Sequence, residues 1–213
     1  MAAPEHHRAR ILGAAAGLAA ILLVGGAVSS VASASTGNAQ VAASQSQVVI
    51  AQPPKPIADF ELVDQEGSPF KFSSLKNRTA LIFFGFTHCP DVCPTTLIKL
   101  RLLADKAAAQ IPDLAIVMIS VDGDRDSPAA MKAYMAQVSA HFIGLTGDPR
   151  VVRGIAAQFP AVFFKGIADR PDGAYSVQHT SQVYLVDRSG RLRATFYDAP
   201  VESMAQVTQD VAK

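Results

Sequence analysis

Residues 79–94 have the sequence Thr-Ala-Leu-Ile-Phe-Phe-Gly-Phe-Thr-His-Cys-Pro-Asp-Val-Cys-Pro. The first eight are almost wholly apolar, which is typical of a central strand buried on both faces. Because the residue before a proline avoids the helical region, we predict that residues 89–93 form a loop and that Pro94 begins a helix. A buried strand followed directly by a loop and a helix is typical of an α/β fold.

The elements on both sides of this stretch follow the order of a thioredoxin-like fold. Periodicity and turn signals predict a hairpin over 59–72, strands over 79–86, 114–121 and 142–145, helices over 94–110, 127–140, 148–159 and 201–212, and a second hairpin over 182–196. The first helix is expected to face the core with Leu97, Ile98, Leu100, Leu102 and Leu103. We therefore predict an α/β protein with a mixed central sheet, helices on both faces and an N-terminal β-hairpin.

The start of the chain differs from the rest. Arg8 and Arg10 precede an uncharged, mostly apolar run over 11–28, and small residues follow up to Ala34. This pattern is typical of an export signal, and the run is also close to the length of a membrane-spanning helix. We predict a signal or transmembrane anchor over 1–34, with the arginines inside and the folded part on the exported side of the membrane.

Composition separates the anchor from the folded domain and excludes two classes of protein. Residues 29–52 carry no charge, so we predict a flexible linker over 35–56 and one domain over 57–213. The chain has 19 Lys and Arg against 18 Asp and Glu, which gives no basic footprint for nucleic acid. Two cysteines are too few for a disulfide scaffold, so they are better explained as a redox or metal-binding pair.

Cys89 and Cys93 are separated by three residues, one more than in a redox C-x-x-C motif. Near a helix N-terminus, both sulfurs are expected to have a lowered pKa that favours thiolate. Such a loop can close a disulfide or turn both sulfurs toward one ion, and thiolates select Cu(I), zinc or iron–sulfur over magnesium or calcium. A metal here needs a further ligand, because structural zinc and iron–sulfur sites use four.

Histidine is the commonest source of that ligand. His88 adjoins Cys89 but is expected to point away from it, and His141 fits a surface position late in a helix. His179 directly precedes a late strand that, in a thioredoxin-like sheet, passes beside the cysteine loop. The residues leave these alternatives open, together with a plain stabilising disulfide.

A cluster of acidic residues follows the second buried strand. Asp122, Asp124 and Asp126 have the spacing of a calcium loop, but the glycine and glutamate that such a loop requires at its sixth and twelfth positions are missing. We expect the segment to cap the next helix and to pair with Arg125, and the alternative is a role in shaping the site or in contacting a partner.

Three stretches of the chain together resemble the Sco/SenC family of copper-binding, thioredoxin-like cytochrome c oxidase assembly proteins. They are the cysteine segment 84–94, the acidic segment 120–128, and His179 with the strand at 184–187 that follows it. The resemblance extends over about 58–197. Two departures are Gln178, where the family commonly has aspartate before the histidine, and Gly123, where it often has proline.

The resemblance implies that Cys89, Cys93 and His179 bind copper, as Cu(I) or Cu(II). It implies a copper chaperone, not an enzyme, that delivers the ion to the binuclear copper centre of cytochrome c oxidase. Its partners would be the copper-accepting oxidase subunit, other copper chaperones or thiol reductants, and the membrane, in the periplasm or an equivalent intermembrane space. The alternative is a thiol–disulfide oxidoreductase, in which Cys89 attacks and Cys93 resolves the mixed disulfide.

Overall fold

The computed structural model describes residues 47–167 and 175–213, so the predicted signal or anchor over 1–34 lies outside the described residues. The strands are β1 Val48–Pro56, β2 Glu61–Asp64, β3 Pro69–Lys71, β4 Ala80–Gly85, β5 Ala115–Ser120, β6 Ile143–Thr146, β7 Phe163–Lys165, β8 Val177–His179, β9 Val183–Val186 and β10 Arg191–Phe196. The helices are α1 Val92–Ala107, α2 Pro128–Ala136, α3 Pro149–Ala156 and α4 Val201–Ala212, with a 3-10 turn over Phe72–Leu75.

Eight strands form one mixed sheet in the order β1-β10-β9-β4-β5-β6-β2-β3. Strands β4, β5 and β6 run parallel, and the remaining pairs are antiparallel. Every residue of β4 and β5 is buried, as their continuous apolar runs predict. The predicted N-terminal hairpin is β2 with β3, which extends the sheet beyond β6.

Helices cover both faces of this sheet, which confirms the predicted thioredoxin-like architecture. Successive side chains of β4 point to opposite faces. On one face the ring of Phe84 packs against Phe159, which follows α3, at 5.5 Å between centroids. On the other face Gly85 lies so close to α1 that a Cβ there would be 3.0 Å from Cys93 Sγ.

Helix α1 begins two residues earlier than predicted, at Val92, so that Cys93 lies in its first turn and not in a loop. The proline is tolerated because Pro94 is the third helical residue, where a backbone N–H has no acceptor within the helix. The face of α1 that packs against the core is also narrower than predicted. Ile98 and Leu102 are 49% and 47% exposed, whereas the other three predicted leucines are buried.

Part of the predicted linker belongs to the domain. Residues 48–56 form β1, which pairs with the outer edge of β10 and places Val48 opposite Phe196. The sequence predicted that these residues belong to a flexible linker over 35–56. The uncharged residues at the start of β1 can pair with a sheet edge as readily as they can form a tether. The short hairpin of β7 with β8 was also missed, because three-residue strands carry too little periodicity to detect.

Gly123, which follows β5, is packed closely against the loop that contains Gly147. A Cβ at Gly123 would lie 1.9 Å from the carbonyl oxygen of Gly147, which belongs to the backbone and cannot rotate away. We expect Gly123→Ala to lower the free energy of unfolding by about 1–3 kcal/mol, seen as a lower midpoint in urea. Gly154→Ala is the matched control, since it adds the same methyl group in open space on α3 and is expected to stabilise the helix. An unchanged midpoint for Gly123→Ala would contradict the packing argument.

Candidate metal centre

The fold brings the three predicted ligands together. The sulfurs of Cys89 and Cys93 and a ring nitrogen of His179 all lie within 4.8 Å of one another. Cys93 Sγ is 3.4 Å from His179 Nε2, although the two residues are 86 positions apart in the chain. Among the described residues, this is the single group of three or more His, Cys, Asp or Glu side chains that lie close enough together to hold one ion.

The two cysteines come from the junction between β4 and α1. The backbone N–H of Cys89 donates to the carbonyl of Phe86 at 3.3 Å, which turns the chain directly after the strand. One helical turn later, the N–H of Cys93 donates to Cys89 Sγ at 3.4 Å. Cys93 is fully buried and Cys89 is half-buried, so one sulfur lies inside the domain and the other is accessible from solvent.

His179 is the last residue of β8, and its ring is fixed on several sides. The ring packs edge-on against Phe83 and Phe86, with centroids 6.0 and 5.6 Å away. Its Nδ1 is 2.9 Å from the carbonyl oxygen of Thr180, and donation to that oxygen leaves the Nε2 lone pair facing the cysteines. A backbone carbonyl therefore supports the ring, and the exposed side chain at Gln178 is not needed for that purpose.

Burial keeps two of the three side chains, Cys93 and His179, uncharged in the metal-free protein. Loss of hydration raises the pKa of the Cys93 thiol far above its ordinary value, and this exceeds the lowering expected at a helix N-terminus. Burial likewise lowers the pKa of His179 below 6.5, although the contact with the Thr180 carbonyl acts in the opposite direction. A thiol at Cys93 and a neutral imidazole are therefore present at pH 7. A bound ion has to displace the thiol proton, so binding is expected to release protons.

Two further histidines of the described residues, His88 and His141, lie outside the metal centre. His88 Nδ1 faces Thr87 Oγ1 at 3.0 Å and lies 3.6 Å from a carboxylate oxygen of Asp126, which confirms that it points away from the cysteines. His141 is exposed beyond the end of α2.

The acidic segment shapes the site, a role that the sequence left open. Asp126 is fully buried and accepts hydrogen bonds from Thr87 N at 2.9 Å, Thr87 Oγ1 at 2.6 Å and Ser120 Oγ at 2.6 Å. It therefore anchors the backbone two residues before Cys89. The predicted cap and ion pair also form, since Ser127 Oγ accepts from the first turn of α2 and Arg125 pairs with Asp122 at 2.5 Å.

Two thiolates and one imidazole form a soft donor set with room for a further ligand. Such a set favours copper, and it lacks the fourth ligand of a structural zinc site. Because Cys89 and His179 are both partly accessible, a ligand from another protein can reach an ion held here.

Comparison with known proteins identifies close relatives in sequence. A family model described as SCO1/SenC matches residues 50–213. An SCO2-like protein from Rickettsia felis is 37% identical over 148 residues, covering 68% of this chain and 72% of the relative. The mitochondrial SCO2 homologue of Mus musculus is 34% identical over 158 residues, covering 73% of this chain and 60% of the relative.

Solved structures show the same fold. The structure of Bradyrhizobium japonicum ScoI with copper bound has a TM-score of 0.66 and 35% identity, covering 73% of this chain and 99% of that protein. Yeast Sco1 with copper bound has a TM-score of 0.64 and 29% identity, covering 72% and 88%. The family model spans more than half of the chain, and the fold and the cysteine–histidine cluster agree with it. The chain belongs to the SCO1/SenC family.

Proposed function

We propose that this protein is a copper chaperone that delivers copper to the binuclear copper centre of cytochrome c oxidase. Cys89, Cys93 and His179 bind the ion, as Cu(I) or Cu(II). The observation that carries the proposal is the convergence of these three donors within 4.8 Å. It is supported by membership of a family in which two structural relatives hold copper.

The accessible side of the site allows transfer by ligand exchange. A thiolate of the recipient adds to copper beside Cys89, and Cys89 then leaves as the recipient supplies its next ligand. Copper keeps its charge and oxidation state throughout, so the transfer requires no electron donor. Cys93 is buried and leaves last, regaining the proton that copper displaced, which keeps the ion attached until the recipient holds it.

The proposed partners are the copper-accepting subunit of the oxidase, other copper chaperones or thiol reductants, and the membrane. The predicted anchor over 1–34 would hold the domain on the exported side, in a periplasm or an equivalent intermembrane space. None of the four helices in the described ranges has the length and hydropathy that a bilayer span requires.

A second candidate function is thiol–disulfide exchange, favoured by the presence of one accessible and one buried free cysteine. Cys89 as thiolate would attack a disulfide of the recipient and form a mixed disulfide. Cys93 would then displace the recipient, which gains two electrons as the Cys89–Cys93 disulfide forms. A dithiol reductant in the same compartment would be needed to restore both thiols.

Replacing His179 by alanine separates the two functions. Structural zinc sites gain roughly 10–16 kcal/mol from four ligands, which is roughly a factor of 100–1,000 in affinity for each ligand. In the full chain, solubilised in detergent, we expect His179→Ala to weaken Cu(II) binding about 100-fold in a chelator competition. Exchange of its thiols with a small disulfide should change by no more than about twofold, since both cysteines remain.

His141→Ala is the matched control for that experiment, because it removes an exposed histidine outside the metal centre. It is expected to bind copper as the unsubstituted protein does. Undiminished copper affinity in His179→Ala would contradict the three-ligand site. Copper bound equally well after oxidation of both cysteines would contradict thiolate ligation altogether.

A further inference from the structure

The strand that carries His179 is not part of the main sheet. Strands β7 and β8 pair only with each other among the described residues, with Phe163 opposite His179 and Lys165 opposite Val177. An isolated two-stranded hairpin is marginally stable in water. The direction of the histidine ring therefore depends on contacts that attach this hairpin to the rest of the domain.

One such attachment is made by an aromatic ring between two cations, which we name the tyrosine clasp: Arg125, Lys165 and Tyr175. The guanidinium carbon of Arg125 lies 3.9 Å from the centre of the Tyr175 ring, and Lys165 Nζ lies 4.0 Å from it. Arg125 also donates from a terminal nitrogen to the Tyr175 carbonyl at 3.3 Å. Lys165 belongs to β7 and Arg125 to the segment after β5, so the clasp joins the hairpin to the main sheet.

Two carboxylates make this arrangement of like charges possible. Asp122 is buried, pairs with Arg125 and accepts a hydrogen bond from the Tyr175 hydroxyl at 2.6 Å. Asp124 accepts one from Lys165 at 2.7 Å. Each cation thus has its own anion, and repulsion between the two cations is offset at close range. Cation–π contacts of this kind gain most where water is partly excluded.

The clasp reaches the metal ligand through one aromatic side chain. The guanidinium carbon of Arg125 lies 6.0 Å from the centre of the Phe86 ring. That ring is 5.6 Å from His179 at an interplanar angle of 89°, and it is nearly fully buried. Arg125 is therefore in contact both with Tyr175, at the loop end of the hairpin, and with the side chain that supports the imidazole.

We propose that Arg125, Lys165 and Tyr175 are positioning residues of the copper site. They hold the β7–β8 hairpin so that His179 faces the two cysteines before copper arrives. This inference rests on the proposed function, because it assigns the clasp a role in that same site. When a residue that orients a metal ligand without binding the ion is removed, metal affinity typically falls by about 10- to 100-fold.

Variants at Tyr175 provide the test, with Cu(II) ion as the probe and the full chain in detergent. Tyr175→Leu removes the ring and is expected to raise the Cu(II) dissociation constant about 10- to 100-fold. The nitrogen coupling of His179 in the electron paramagnetic resonance spectrum should weaken, while the sulfur-to-copper absorption bands remain. Tyr175→Phe keeps the ring and loses only the hydroxyl, so its dissociation constant should stay within about threefold of the unsubstituted value.

A second pair of variants controls for the loss of a surface charge. Lys165→Leu removes one cation of the clasp and is expected to weaken the nitrogen coupling. Lys132→Leu breaks the comparably exposed pair of Lys132 with Glu66, which has no contact with the hairpin, and should leave the spectrum unchanged. Equal loss of nitrogen coupling in both lysine variants, or none in Tyr175→Leu, would overturn the proposal.

Hydrogen exchange in the metal-free protein distinguishes failure of the clasp from failure of the copper site. The amide of Thr180 donates to the carbonyl of Val162 and reports whether the end of the hairpin stays closed. Its exchange is expected to be faster in Tyr175→Leu than in Tyr175→Phe, whether or not copper is ever bound. Protection that is the same in both variants overturns the positioning role alone. Absence of copper binding by the unsubstituted protein overturns the proposed function.

Discussion

Cys93→Ser is expected to lower the affinity for copper roughly a thousandfold, the upper end of what one metal ligand contributes. Cys93 is fully buried beside His179 Nε2, and the ion displaces its thiol proton on binding. A serine hydroxyl does not ionise under these conditions and is a hard donor, whereas copper in this setting requires soft thiolate. Competition against a chelator of known affinity, for Cu(I) and Cu(II) in turn, measures the change.

Cys89→Ser serves as the comparison for Cys93→Ser. Both variants lose one thiolate, but Cys89 is half-buried and Cys93 fully so. The loss of copper should be similar in the two variants, while the loss in free energy of unfolding should be larger for Cys93→Ser because its hydroxyl is buried. Copper bound by Cys93→Ser at the unsubstituted affinity would show that the buried sulfur is not a ligand.

Removal of the buried carboxylate of Asp126 is expected to have the largest effect on stability. Asp126→Ala leaves the Thr87 amide and the Ser120 hydroxyl without their acceptor, and it removes one of the two partners of the Thr87 hydroxyl. An unpartnered buried donor costs about 1–3 kcal/mol, so we expect the free energy of unfolding to fall by about 3–5 kcal/mol in urea denaturation. Copper affinity should fall as well, because the chain segment leading to Cys89 loses its anchor.

Asp187→Ala is the matched control for Asp126→Ala. Asp187 is also nearly fully buried and accepts bonds from the backbone of Ser189 and Arg191, but it lies in the turn between β9 and β10. The Asp187→Ala substitution should destabilise the domain while leaving copper affinity in the folded protein unchanged. An equal loss of copper affinity in Asp187→Ala and Asp126→Ala would contradict a specific role of Asp126 in the site. The effect of Asp126 on copper binding would then be explained by the lower stability of the domain.

The architecture can be predicted from the chain because it depends on local signals. The apolar runs at 80–85 and 115–120 predict buried parallel strands, and Ser127 and Asp148 mark the starts of α2 and α3. The resemblance to a known family, carried by three stretches of the chain together, then selects His179 from the five histidines. These features need only short stretches of sequence, whose patterning is set by secondary structure.

Other features arise where distant parts of the chain meet. The residues at 48–56 become a strand because an edge of β10 is free to receive them. The raised pKa of Cys93 follows from burial under β4, which outweighs the helix terminus that the sequence shows. Asp126 accepts a hydrogen bond from Thr87, 39 positions away in the chain, and Tyr175 accepts one from Arg125, 50 positions away. Through these contacts both residues act on the metal centre. Hydrogen bonds, desolvation and cation–π contacts act over a few ångströms of space, so their partners are known only when the chain is folded.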